Sequence, residues 1–312
     1  MSDHDLSTLR RALHEGALLL RAPELGTLSI RGKDRQTWLN GMITCDLAPL
    51  KAGQGAYGFA VQKTGKILAE LRVLIDDDHI LVSAPRDRIG ALTEHFDHYV
   101  IMEDVELEDT SAEVAWIVAH GPAAKELPAL ARAHGALAAA SMDMSGKGGA
   151  VFAFEPAKVD AALERLAQKE LGQQGSAPVL VADEASWEAL RVEIGLGRWG
   201  KDYTDENYPQ EASLEPYAVS FQKGCYLGQE VVFMLQARGH AKKKLVPISI
   251  EGDAELAPSA EITDAAGKVI GNVTSVAKGP DAGRVVALAY VKYKHATKGT
   301  ALLVAGRAAV VA

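Results

Sequence analysis

The chain has 312 residues, 48% of them apolar and 24% charged, which suits a globular protein of about two domains and excludes disorder over most of its length. Its net charge of −8 lacks the basic surplus by which proteins neutralise phosphates, so DNA or RNA binding is not expected. Only two cysteines occur, Cys45 and Cys225, too few for a disulfide framework or a four-thiolate metal site, and this usage fits a reducing cytoplasm.

The opening residues carry an apolar patch, but charges interrupt it and no small-residue cleavage site follows, so a signal peptide is not expected. Nowhere do about 18 apolar residues run together, and no membrane-crossing helix is expected either. TLSIRG at 27–32 reads as a strand. Asp34 is placed to N-cap a following helix, RQTWLNGMI, because its carboxylate can accept from orphan first-turn amides. Residues 56–83 then switch to period two, with turns at KTGK and DDD, which predicts an antiparallel meander. A helix is expected over 87–99, strands near 104–108, 112–119 and 148–154, and an amphipathic helix from Pro156 to about Leu171. Helices and strands mix without the βαβα rhythm of a parallel sheet, so the fold class is α+β. From Leu245 onward short strands recur between Gly, Asp and Pro turns, which predicts a small all-β barrel or sandwich. The boundary falls near residue 240, giving an α+β region over 1–240 and a β domain over 241–312.

Two G-x-G-x-x-G matches fail on context: Gly53–Gly58 leads into a strand, and Gly195–Gly200 follows a helix, so both read as turn glycines. His95 and His98 stand three apart on one expected helix, but no third ligand is recognisable, and they read as a solvated face, with no metal site expected. Cys45 reads as a small buried hydrophobe. Cys225, in FQKGCYLGQEVV, is different: Lys223 precedes it by two residues and a helix is expected to start just after it. A cation and a helix N-terminus both favour thiolate, so it reads either as a reactive cysteine or as one packed at a helix start. No histidine close in sequence offers a base; His240 is fifteen residues on.

The run from Lys223 to Glu230 (K-G-C-Y-L-G-Q-E), with Pro209, Gln210, Glu211 and Leu214 before it, resembles the signature of the folate-binding YgfZ family, itself similar to the glycine cleavage T-protein. The resemblance implies an aminomethyltransferase-like (T-protein-like) three-lobed fold, with two intertwined α+β domains, a central folate channel and a C-terminal β-barrel. It implies tetrahydrofolate or another reduced folate as the ligand, iron–sulfur enzymes or cluster-assembly proteins as partners, and a role in cluster assembly or repair. By the same resemblance Cys225 is the reactive or ligating residue. Glu193 sits where relatives read the pterin, whose two adjacent N–H donors a carboxylate can accept, although the residues alone read as a helix-end surface carboxylate. Trp199 falls where an aromatic lines the channel, and Lys223, Gln229 and Glu230 complete the surrounding site. Two departures stand out. The acidic pair of the aminomethyltransferases is replaced by Ala69 and Glu70 in the run from Gly65, so true transferase chemistry is not expected. Met234 stands where relatives often have arginine, leaving Arg238 as the candidate cation for the folate tail. The alternatives are a folate-dependent aminomethyltransferase or demethylase, in which Glu70 replaces the lost aspartate, and a cysteine-nucleophile hydrolase.

Overall fold

A computed structural model describes residues 4–168, 177–237, 239–252, 255–279 and 283–312. The chain forms two compact units, one of Met1–Asp183 with Tyr217–Gln229 and the other of Glu184–Pro216 with Glu230–Ala312.

The first unit opens with α1 (Leu6–Glu15), where the Asp5 carboxylate accepts from the Thr8 N–H at 2.7 Å and Leu9, Ala12 and Leu13 are buried. The charges that interrupt the opening apolar patch thus lie on the outer side of an amphipathic helix. Next come β1 (Ala17–Arg21), β2 (Leu25–Arg31) and α2 (Arg35–Asn40), followed by β3 (Gly55–Val61), β4 (Ile67–Ile75) and β5 (Ile80–Pro85). The expected meander is these last three strands, paired antiparallel in chain order. Asp34 is not the side-chain cap of α2; its carboxylate accepts from the Asp104 N–H at 2.9 Å. Continuing, α3 (Ile89–Asp97), β6 (Glu106–Asp109), β7 (Ala115–His120), α4 (Leu127–Ala133), β8 (Ala138–Ser141), β9 (Gly149–Phe154), α5 (Val159–Ala167) and β10 (Val179–Val181) complete its sheets. The end of the helix expected over 156–171 lies outside the described residues.

Two five-stranded sheets result, ordered β3-β4-β5-β2-β6 and β10-β1-β7-β9-β8. Consecutive strands β1 and β2 lie in different sheets, and only β1 with β10 is parallel in the second, which is why no βαβα rhythm is legible. Strand β1 is paired on both sides, between β10 and β7, and buried along Ala17–Leu20, so it is written as a continuous apolar run without alternation.

The second unit contains α6 (Glu184–Glu193) and, after α7 (Glu215–Ala218), most of α8 (Gln229–Ala237). It continues with β11 (Lys243–Glu251), β12 (Glu261–Thr263), β13 (Val269–Lys278), β14 (Arg284–Lys292), β15 (Ala301–Val304) and β16 (Arg307–Val311). These six strands close into a barrel in the order β11-β14-β13-β12-β15-β16, with β16 pairing back onto β11. Closure removes the exposed edges of so small a sheet, and Ile248, Ile250, Val273, Val291 and Val304 fill its core.

Candidate functional site

In the first unit, the residues preceding α8 form an anchored loop. Ser220 donates its backbone N–H to the Thr44 carbonyl at 2.9 Å, and Thr44 Oγ1 donates to the Ala218 carbonyl at 2.6 Å. Lys223 Nζ then donates to the carbonyl oxygens of Asn40 (2.5 Å), Ile43 (2.9 Å) and Cys45 (2.6 Å), and lies 5.3 Å from the centre of the Tyr226 ring. Burial lowers the Lys223 ammonium to about 8, against the opposing influence of Cys45 and Asp46. Downstream, the Leu227 N–H donates to the Gly41 carbonyl at 3.0 Å. Gly228 has φ +78°, and a Cβ there would lie 2.3 Å from the Gln62 carbonyl oxygen, so glycine is required.

Cys225 is exposed between these attachments. Two elements of the sequence reading differ here. Helix α8 begins only at Gln229, after a turn at Leu227 and Gly228, so Cys225 is not at its start. The Lys223 cation is directed at three carbonyls rather than at the thiol. Gln229 Nε2 donates to the Gly224 carbonyl at 3.4 Å, and Glu230 is exposed in the first turn of α8. Cys45 is buried as expected; burial pushes its thiol up to about 12, and a Cβ on Gly58 would lie 2.6 Å from its Sγ.

The carboxylate that follows Ala69 in the expected acidic-pair strand is also engaged. Glu70, 8% exposed on β4, accepts from Tyr57 Oη at 2.7 Å and from an Arg72 Nη at 2.9 Å. Nearby in this unit an open cavity of about 300 Å³ is lined by Asp46, Tyr57, Ser141, Asp143, Tyr217 and Ser220, among others. Carboxylates and hydroxyls line it, and no Lys or Arg does, a lining that favours hydrogen-bond donors over anions.

In the second unit, Glu193 is the last residue of α6 and is partly exposed. Two residues earlier Arg191, 1% exposed, donates to Glu188 Oε2 (2.7 Å), Asp202 Oδ2 (2.7 Å), Ser275 Oγ (2.9 Å) and the Leu196 carbonyl (3.1 Å). Asp202 also accepts from the Arg198 N–H at 3.0 Å and from Thr274 Oγ1 at 2.5 Å. The network ties the end of α6 and the 196–203 turn to β13, and so fixes the backbone beside Glu193 and Trp199. The Trp199 ring meets Tyr203 edge-on at 5.8 Å. Sequence reasoning missed Arg191, Asp202 and Ser275, since Arg191 and Ser275 are 84 residues apart and no local spacing links them.

Glu193, Trp199 and Glu230 belong to the second unit, and Lys223, Cys225 and Gln229 to the first. Arg238 lies outside the described residues. Met234 is half exposed on α8. The rings of His95 and His98 each meet Tyr99 edge-on, at 5.4 and 5.0 Å. Among the described residues, no three His, Cys, Asp or Glu side chains are grouped to hold a metal, and no helix is long and apolar enough to cross a membrane.

Residues 9–144 match the glycine cleavage T-protein N-terminal domain, and residues 243–311 match the glycine cleavage T-protein C-terminal barrel domain. The chain is 27% identical over 301 residues to an aminomethyltransferase of Rubrobacter xylanophilus, covering 90% of this chain and 77% of that protein. It is 26% identical over 242 residues to the tRNA-modifying protein YgfZ of Vibrio vulnificus strain YJ016, covering 77% of this chain and 72% of the relative. In fold it is similar to the crystal structure of glycine cleavage system aminomethyltransferase T from Bartonella henselae, with a TM-score of 0.76 at 20% identity over 98% of this chain and 88% of that one. With both T-protein domains matched in order and YgfZ proteins among its relatives, the chain belongs to the YgfZ and T-protein-like family.

Proposed function

We propose that the protein binds a reduced folate and uses Cys225 as a working thiol in the assembly or repair of iron–sulfur clusters in client enzymes. The observation that carries this reading is the exposure of Cys225 at the tip of an anchored loop within the K-G-C-Y run, while Glu70 is tied to Tyr57 and Arg72. A thiol held outward with no histidine near it in sequence suits exchange or ligation with another molecule better than hydrolysis.

The residues fit a folate. Glu193 would accept the paired N–H donors of the pterin edge, and its backbone is held by the Arg191 network. Trp199 offers a partly exposed aromatic ring for stacking. Glu230, in the same unit as Glu193 and Trp199, adds an exposed carboxylate in the first turn of α8. A stable cluster needs about four thiolates, and this chain has two cysteines, one of them buried, so a partner or small thiol would complete any cluster Cys225 ligates. The YgfZ relative is described as tRNA-modifying; with a net charge of −8, a connection of this chain to RNA would run through a client enzyme rather than through phosphate binding.

The test is Cys225→Ser. Serine is nearly isosteric but supplies neither a soft anionic ligand nor a redox-active sulfur. Because the side chain is exposed, stability should change by less than about 0.5 kcal/mol, and calorimetric affinity for tetrahydrofolate should persist. Restoration of a cluster-dependent enzyme in cells lacking the gene should be largely lost. Full restoration by Cys225→Ser would overturn the thiol's role, and undetectable tetrahydrofolate binding by the unmodified protein would overturn the folate reading.

A further inference from the structure

We propose that Lys223 is a positioning residue: its ammonium clamps the Cys225 loop to the segment following α2, and it serves neither as a ligand contact nor as the cation that activates the thiol. The significance of the clamp rests on the reading of Cys225 as the working thiol; the geometry of the clamp does not.

A protonated lysine has three N–H donors and no acceptor. The carbonyls of Asn40, Ile43 and Cys45, all within 2.9 Å, take up that full complement, so no donor remains for a folate carboxylate. One of those carbonyls belongs to Asn40, the last residue of α2, where helix carbonyls lack intrahelical partners and a cation is favoured. The amine is lowered only to about 8, so it still carries its charge near neutral pH. On the other side of Cys225, the Leu227 N–H is held by the Gly41 carbonyl. The thiol therefore projects from a five-residue span, 223–227, attached at both ends to the same short stretch of chain. In sequence a lysine two residues from a cysteine reads as an electrostatic activator; in the fold its charge is spent on backbone.

Lys223→Met removes charge and donors. Lys223→Arg keeps the charge, but a planar guanidinium cannot converge three donors on one point as an ammonium does. In both full-length variants, exchange of the Leu227 amide should accelerate by about tenfold or more. The pH midpoint for alkylation of Cys225 by iodoacetamide should stay unchanged; buried Cys45, its thiol raised to about 12, stays out of this readout. Restored amide protection in Lys223→Arg, or a midpoint raised by about one pH unit in Lys223→Met, would overturn the clamp.

If neither variant folds, nitrogen-detected resonance of the lysine ammonium groups in the unmodified protein decides. A slowly exchanging Lys223 ammonium, unmoved by tetrahydrofolate, supports the clamp. One that exchanges as fast as surface lysines, or shifts on adding tetrahydrofolate, refutes it. Should tetrahydrofolate not bind at all, the folate reading fails while the slow ammonium signal still stands.

Discussion

Glu70 and Glu193 are both glutamates, but their surroundings give them different uses. Glu70 is buried and its Oε1 accepts both from the neutral Tyr57 hydroxyl and from the charged Arg72 guanidinium. Glu193 stands partly exposed at a helix end, its backbone held by a neighbour's network rather than by its own burial. Glu193→Ala should weaken tetrahydrofolate binding by about thirtyfold to a hundredfold, or about 2–3 kcal/mol, because pterin donors would lose a charged acceptor. Titration calorimetry measures this directly, and an unchanged affinity would remove Glu193 from the site. The two cysteines differ for the same kind of reason: burial raises the Cys45 thiol and leaves Cys225 as the accessible one.

Helix α6, the 196–203 turn and strand β13 are joined by polar side chains whose partners are nearly all supplied within the network. Glu188 is its outer member. Burial would raise its carboxyl, but hydrogen bonds and charge from Arg191 and Lys201 outweigh that and bring it down to about 2, from an ordinary 4.5. Between those two values the unfolded chain holds a proton that the folded one does not, so stability rises with pH there. The contribution is complete above pH 4.5 and is lost as pH falls toward 2. Glu188→Gln should therefore lower stability at neutral pH and flatten the acid limb of the stability profile in that window. Urea unfolding at a series of pH values checks it; an acid limb identical in the two proteins would show that the Glu188 carboxylate's contacts with Arg191 and Lys201 contribute nothing.

Across the whole protein, both T-protein domains are matched, while the strand in which the resemblance places the acidic pair carries Ala69 and a Glu70 held by Tyr57 and Arg72. A carboxylate one methylene longer and already hydrogen-bonded reaches a different point in space, and a displacement of around 1 Å can cost about a hundredfold in rate. In an assay with an aminomethylated carrier protein and tetrahydrofolate, turnover should fall at least about a hundredfold below that of a true aminomethyltransferase. Comparable turnover would favour the transferase reading over cluster maintenance.

Where one-face burial repeats over a long run, as in the meander and the C-terminal strands, the amino-acid sequence alone determines the result. The period-two run over 56–83 becomes β3 to β5, the turn-punctuated C-terminal strands become the barrel, and the mixed order of elements yields an α+β fold. Local alternation carries that information because burial on one face repeats every second residue. The K-G-C-Y run and the paired domain order were enough to point to the family. Only the tertiary structure decided what the polar groups do. Asp34 caps no helix because the Asp104 amide reaches its carboxylate first. Lys223 meets carbonyls that lie 183, 180 and 178 residues before it in the chain, and Arg191 meets Ser275 after 84 more. A buried polar group must find a partner, but the partner's position in sequence is set by how sheets and loops come together, and no local spacing records it.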